Sequence, residues 1–324
     1  MKDLYDRLAP LGFDENFLKA YVLPGWWQDH LAEIPSNRAY AEAIIARQLG
    51  IKPASLRDQN QRLRLRPSAT LRCKRRGAVA DVSVAQVLGA RLALLADKCY
   101  VGNRRPLPGS ASDIRAAILE RGDAQAVGLT QLLRYCWDVG IPVIHLSQVP
   151  RGKKKVDGMA AQIDDRYVIV VASQKRHPAW HLFIVAHELG HLAHRHLRQG
   201  ELSIDPKVDI RLADAEEQEA STFAVELLTG RPDTSFRPAG RWARAQELAD
   251  GARQIGAKLR IDPGYIALSY AHSQNFWAVG QAALKELEPE GDASAPYREW
   301  YGPLETERLP EDSRYVFERL TGIE

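Results

Sequence analysis

The chain has 324 residues, long enough for two or three domains, and its 45% hydrophobic and 26% charged content excludes a mainly disordered protein. Forty-four Lys and Arg against 41 Asp and Glu leave a net charge of +3, which excludes a uniformly basic protein but not a local basic patch. Three cysteines (Cys73, Cys99, Cys136) are too few and too scattered for a disulfide framework or an all-cysteine zinc site. They fit buried thiols in a reducing compartment. Residues 1–7 show no signal-peptide pattern, and the longest apolar runs, 168–172 and 182–186, fall far short of a bilayer span. The expectation is a cytoplasmic protein with no membrane partner.

Residues 1–110 read as a helical region. Ala43, Ile44, Ala46 and Leu49 fall at helical spacing and stop at Gly50, and Pro53 suits the first turn of a second helix. Helix, turn, helix over 41–58 resembles the DNA-binding motif of bacterial repressors, although many packed helical pairs also turn on Gly. Arg62, Arg64, Arg66, Arg72, Lys74, Arg75 and Arg76 then crowd a short segment with no acid between them. Residues 62–66 alternate like a strand with one cationic face, suited either to solvent, to an acidic partner or to phosphate contact with DNA. Val84, Val87, Leu88, Leu92 and Leu95 predict a core helix, and 103–110 has linker composition.

Beyond the linker, 114–120 and 129–139 predict helices, the second ending at Gly140. The β-branched runs 141–146 and 167–172 predict strands, and 156–161 alternates more weakly. Helices around a small sheet make an α+β, mostly helical fold. The organisation predicted is a helical region at 1–110 with the basic segment, a core at 111–230, and a helix and loop region at 231–324. In the last, Trp242, Trp277 and Trp300 suit core or interface anchors.

His187-Glu188-Leu189-Gly190-His191 carries the chemistry. Its flanks are apolar and helix-compatible, and residues four apart share a helix face, so His187 and His191 can point two imidazoles at one ion. Glu188 sits one residue on, off the ligand direction but near enough to act as general base toward water. Gly190 costs about 1 kcal/mol in a helix interior, and its missing side chain would allow another element to approach closely. Catalytic zinc takes a third protein ligand. The positions where a metzincin places Gly and a third His are His194 and Leu197, so His194 and His196 are expected at a solvated helix end. The third ligand is sought on a second helix, where Glu217, Ala220, Ala224 and Leu228 share a face that Phe223 and Leu227 widen. That face favours Glu217 over Glu216 and Glu219, with Ser221 one turn on as a supporting hydrogen-bond partner. Two His and one carboxylate suit Zn2+ and can also hold Mn2+.

The run 183–191, followed by Glu217-Gln218-Glu219-Ala220-Ser221-Thr222-Phe223-Ala224-Val225-Glu226-Leu227-Leu228, resembles the ImmA/IrrE family of bacterial metallopeptidases. The family pairs an apolar run into His-Glu-Leu-Gly-His with a helix of the form Glu-x-x-Ala-Asn-x-Phe-Ala-x-x-Leu-Leu. The Gly140-Ile141-Pro142-Val143 strand and an Asp157-Gly158 turn also resemble it, so the likeness spans about 111–230. Ser221 stands where Asn is usual, and Gly230 near a usual Pro. The resemblance implies a gluzincin-like, zincin-type core in which His187, His191 and Glu217 bind zinc and Glu188 is the base. It further implies cleavage of a DNA-binding repressor, encoded nearby, in a stress, mobile-element or toxin–antitoxin response. The segment 261–267 is similar to one found downstream in some helix-turn-helix-linked members. For the oxyanion, His145, Tyr167, His177 and His181 qualify by residue type, and a substrate strand could add to the sheet edge beside Met159-Ala160-Ala161. The alternative from another class is a DNA-binding regulator or toxin-like sensor whose zinc site is structural or partner-controlled.

Overall fold

Pro and Gly set the starts and stops of the N-terminal helices. The computed structural model describes residues 1–58, 60–66, 71–73, 83–122, 124–150, 156–203, 215–236 and 244–323. Helix α1 (Lys2–Leu8) and the single turn α2 (Glu15–Phe17), capped by Asp14, lead to α3 (Pro35–Gln48), which opens on Pro35. Gly50 takes φ +61°, and Pro53 starts α4 (Pro53–Arg57), so helix, turn and helix follow one another as expected. The second helix has only five residues. The Arg7 guanidinium pins the following loop by donating to the carbonyls of Leu56 (2.6 Å), Ser55 and Asp58 (2.8 Å each) and Gln61 (3.1 Å).

Residues 62–66 form no strand, which corrects the period-two expectation. Their alternation survives only in burial: Leu63 is buried and Leu65 half-buried, while Arg62, Arg64 and Arg66 are exposed. The backbone lies against the turn at Gly50 instead of a sheet edge; a Cβ on Gly50 would sit 1.9 Å from the Arg66 carbonyl oxygen. Arg72 enters the two-residue strand β1 (Arg72–Cys73), and Lys74, Arg75 and Arg76 lie outside the described residues, as does Trp242. A Ser83–Gln86 capping box opens α5 (Val84–Cys99), whose Val87, Leu88, Leu92 and Leu95 are buried.

Helices α6 (Ala111–Leu119) and α7 (Leu129–Asp138) follow, and Gly140 at φ +83° turns the chain into β2 (Val143–His145). Strands β3 (Gly158–Ile163) and β4 (Arg166–Val171) form a hairpin; then come α8 (Pro178–Ala193) and the short β5 (Glu201–Leu202). The mixed five-stranded sheet has the order β1-β5-β3-β4-β2, with β3–β4 and β3–β5 antiparallel and the two outer pairs parallel. Successive strand residues face opposite sides of a sheet. Gly158 faces Ile184 and Glu188 of α8, whereas Met159 meets Gly89 of α5, so α5 and α8 cover opposite faces. Asp157-Gly158 is therefore not a turn. Gly158 begins a paired strand, and the Asp157 carbonyl accepts from the N–H groups of Ala172 and Ser173. Nor is Met159–Ala161 a free edge: β5 pairs with Ala161 and Gln162, and the Ser203 N–H donates to the Ala160 carbonyl.

The remainder is helical: α9 (Ala215–Thr229), α10 (Ala245–Leu259), α11 (Pro263–Gln274), α12 (Trp277–Leu287), α13 (Ala295–Glu299) and α14 (Glu311–Thr321). One hydrophobic core runs from Leu4 to Leu320, and a smaller one joins α10, α11 and α12 to Ala179 of α8. There Trp277 stacks on Trp180 with ring centroids 5.7 Å apart. Cys99 and Cys136 are buried free thiols, as expected. Among the described residues no helix is long and apolar enough to cross a membrane.

Two polar groups, Glu288 half-buried and Arg115 buried, hold the helices that frame the HExxH segment. Glu288 accepts the Ala179 N–H in the first turn of α8 at 3.1 Å, and its other oxygen lies 3.3 Å from His177 Nδ1. Burial, reinforced by the Asp262 carboxylate, pushes the Glu288 pKa up to about 8, while burial lowers that of His177. Near neutral pH the two thus meet as acid and neutral imidazole rather than as an ion pair. Arg115 of α6, itself buried, donates to the carbonyls of Leu227 (3.1 Å) and Leu228 (2.8 Å) at the end of α9, and of Leu259 (3.2 Å) and Arg260 (2.7 Å) at the end of α10. These are last-turn carbonyls with no partner inside their own helices. Arg115→Ala is expected to destabilise the fold by about 2–4 kcal/mol, because four acceptors lose a charged donor at once. Urea unfolding measures this, and an unchanged midpoint would show that water replaces the guanidinium without loss.

Candidate metal centre

The site lies where α8 crosses α9, and small residues make the crossing close. A Cβ on Gly190 would stand 2.9 Å from the Ala220 carbonyl oxygen, 3.0 Å from its Cα and 3.2 Å from the Phe223 ring. Such distances leave no room for a methyl group, so Gly190 is the residue that lets the two backbones meet. Ala220, Phe223, Ala224, Leu227 and Leu228 are buried along α9. That is the face expected from their spacing, and it leaves Glu217 in the first turn beside the histidines.

Three donor side chains converge there. His187 Nε2 and His191 Nε2 are 3.2 Å apart; Glu217 Oε2 is 3.2 Å from the first, and Glu217 Oε1 is 3.3 Å from the second. Among the described residues, His187, His191 and Glu217 are the group of three whose ligand atoms come together. Zinc bound tetrahedrally at about 2.0–2.1 Å holds its donors roughly 3.3 Å from one another. The separation between the two nitrogens is of that order, as is that of each nitrogen from its own Glu217 oxygen, and two neutral imidazoles with one carboxylate are a donor set that zinc accepts. Both histidines are buried, and the Glu217 side chain is 14% exposed.

Glu188 is fully buried on α8 and points to β3, where a Cβ on Gly158 would lie 2.4 Å from its Oε1. The strand passes this carboxylate only because residue 158 has no side chain. Glu216 and Glu219, the competing carboxylates, do not join the three donors. Ser221 does what its position suggested: its Oγ is 3.2 Å from His187 Nδ1, the ring nitrogen turned away from the donors. His194 is exposed, as expected for a helix end. His196 is not. Its side chain is only 7% exposed, and Nδ1 lies 2.9 Å from His191 Nδ1, which corrects the solvated reading. Burial lowers the His196 pKa, partly opposed by Glu219.

Three of the four oxyanion candidates are engaged elsewhere. His181 uses both ring nitrogens, on the Tyr297 hydroxyl (3.0 Å) and the Lys175 carbonyl (2.9 Å). His145 Nε2 faces the Ser173 carbonyl at 3.2 Å, and His177 lies against Glu288. A cleft of about 450 Å3 beside His194, lined also by Gln218, Glu219 and Thr222, includes none of the three donors. Gly190→Val is expected to separate α8 from α9, costing about 1–3 kcal/mol by overpacking and pulling Glu217 from the histidines. Thermal unfolding and zinc uptake should fall together; a normal uptake would show that α9 does not depend on this contact.

Residues 136–249 match the peptidase M78 family model, described as the IrrE N-terminal-like domain. The match takes in strands β2 to β5, α8, α9 and the first turns of α10. It begins later and ends later than the 111–230 span of the motif resemblance. No curated protein and no solved structure matches the chain. Across residues 136–249 this chain is thus similar to the IrrE N-terminal-like domain of the ImmA/IrrE family.

Proposed function

We propose that the protein is a zinc-dependent endopeptidase in which His187, His191 and Glu217 hold the ion and Glu188 is the general base. The observation that carries this reading is the convergence of two imidazole nitrogens and one carboxylate, with contacts of 3.2–3.3 Å, within a segment that matches a peptidase family. When bound, zinc supplies Lewis acidity that acidifies water and polarises the scissile carbonyl. Glu188, one residue from a ligand and enclosed by β3, takes the proton of the attacking water and returns it to the leaving amine. Ser221 keeps the His187 ring turned so that Nε2 faces the ion.

The substrate proposed is a DNA-binding repressor or antitoxin-like partner encoded nearby, in a stress, mobile-element or toxin–antitoxin response. The family resemblance supports this class. A DNA-contacting role for the N-terminal region is the second reading, and it has its own observation. A cleft of about 330 Å3 is lined, among the described residues, by Lys52, Ser55, Gln61, Arg62, Arg64 and Arg66, four of them cationic and none a carboxylate. DNA binding that falls steeply with salt, without cleavage of any neighbouring repressor, would favour a regulator over a peptidase.

Co-expression with the repressor encoded next to the gene tests the first reading. Cleavage should appear with the wild-type chain and fall at least about 1,000-fold in Glu188→Gln, which keeps its zinc. Undiminished cleavage by Glu188→Gln would remove Glu188 from the reaction and overturn the assignment.

A further inference from the structure

The turn after α8 brings a third imidazole back onto the site. Arg195 adopts the left-handed conformation (φ +56°), and the His196 N–H donates to the His191 carbonyl at 3.0 Å. The chain thus folds back, and the His196 ring lies beside the His191 ring with His194 stacked on its outer face, centroids 5.5 Å apart. His191 Nδ1 is 2.9 Å from His196 Nδ1, and His196 Nε2 is 2.9 Å from Glu219 Oε2. Residues two apart on a helix point to different sides. Glu219 therefore cannot reach the donors directly as Glu217 does, and His196 bridges the gap.

We propose that His196 and Glu219 are positioning residues that fix the tautomer and ring orientation of His191, as a carboxylate–imidazole chain ending on a metal ligand. The inference rests on the metallopeptidase site proposed above. Proton bookkeeping gives the chain one direction. A ligating Nε2 must keep its lone pair, so in neutral His191 the hydrogen is on Nδ1. Across 2.9 Å, His196 Nδ1 must then be the acceptor. The one hydrogen of neutral His196 is left on Nε2, where the Glu219 carboxylate accepts it. Any other assignment of neutral rings sets two hydrogens or two lone pairs face to face. His187 is treated differently, since its Nδ1 meets the Ser221 hydroxyl of α9. The two histidines of one motif thus receive unlike support, a hydroxyl for one and a charged relay for the other. Glu219 is 57% exposed, so water weakens its end of the relay, and His196 is the stronger anchor.

Zinc affinity by chelator competition on the full chain tests this, with four variants. His196→Leu should weaken zinc binding about 10- to 100-fold. Glu219→Gln should weaken it by less than His196→Leu does. His196→Asn, whose amide oxygen can accept near the position of Nδ1, should restore most of the loss, and the exposed His194→Gln should bind as the wild type does. Nitrogen-15 shifts of the zinc-loaded wild type should show His196 with its hydrogen on Nε2. Wild-type affinity in His196→Leu, or a hydrogen on His196 Nδ1, overturns the relay while leaving the peptidase reading intact. A wild-type chain that takes no zinc overturns both. If His196→Leu does not fold, Glu219→Gln and the tautomer decide the matter.

Discussion

The close crossing of α8 and α9 is the constraint on which the rest of the site depends. Two of the three donors come from one helix and the third from another, so their mutual distances are set by how near the helices can lie. Gly190 against Ala220 sets that distance, and a single methyl group would be too much. The cost of Gly inside a helix, about 1 kcal/mol, is offset by the burial of Phe223, Ala224, Leu227 and Leu228 along the same seam. Packing and chemistry therefore share one interface. What seals the core also holds two imidazoles and a carboxylate within 3.3 Å of one another.

Around that crossing, polar groups fix what apolar contact leaves loose. Arg115 holds the far end of α9 and the end of α10 through backbone carbonyls, and Glu288 holds the start of α8 through the Ala179 N–H. Both act on the ends of the helices that meet at the site, where backbone groups lack partners of their own. Hydrophobic burial is non-directional and would tolerate sliding of one helix along another, whereas these bonds fix where each helix begins and ends. A metal site needs that accuracy, because donors displaced by an ångström no longer share an ion.

Much of this was legible in the sequence, and the reason is periodicity. HExxH on an apolar helix and the Glu217, Ala220, Ala224, Leu228 stripe follow from a 3.6-residue repeat, which is why both helices and the face of Glu217 could be read directly. Ser221 followed from the same repeat. The parts that were not legible depend on contacts remote in sequence or on single backbone states. His196 reaches His191 only because Arg195 takes a positive φ, which no hydrophobic pattern encodes. Gly158 looked like a turn residue, yet its use is to let β3 pass Glu188, a relation across 30 positions. The Arg62–Arg66 alternation was real in burial but found no partner strand among the described residues, because alternation says which side faces in and not whether a ladder forms.

The net charge of +3 conceals unlike parts. Lys52, Arg62, Arg64 and Arg66 line one cleft, while the acidic start of α9 supplies Glu217 to the donors and Glu219 to His196. The proposed function requires that α8 and α9 together make a metal site. Zinc titration of the wild-type chain and of Glu217→Ala measures that most directly. One tightly held zinc per wild-type chain is predicted, with affinity at least about 100-fold weaker once the α9 carboxylate is gone. Equal zinc affinity in the two proteins would show that α9 contributes no ligand, and would contradict the site described.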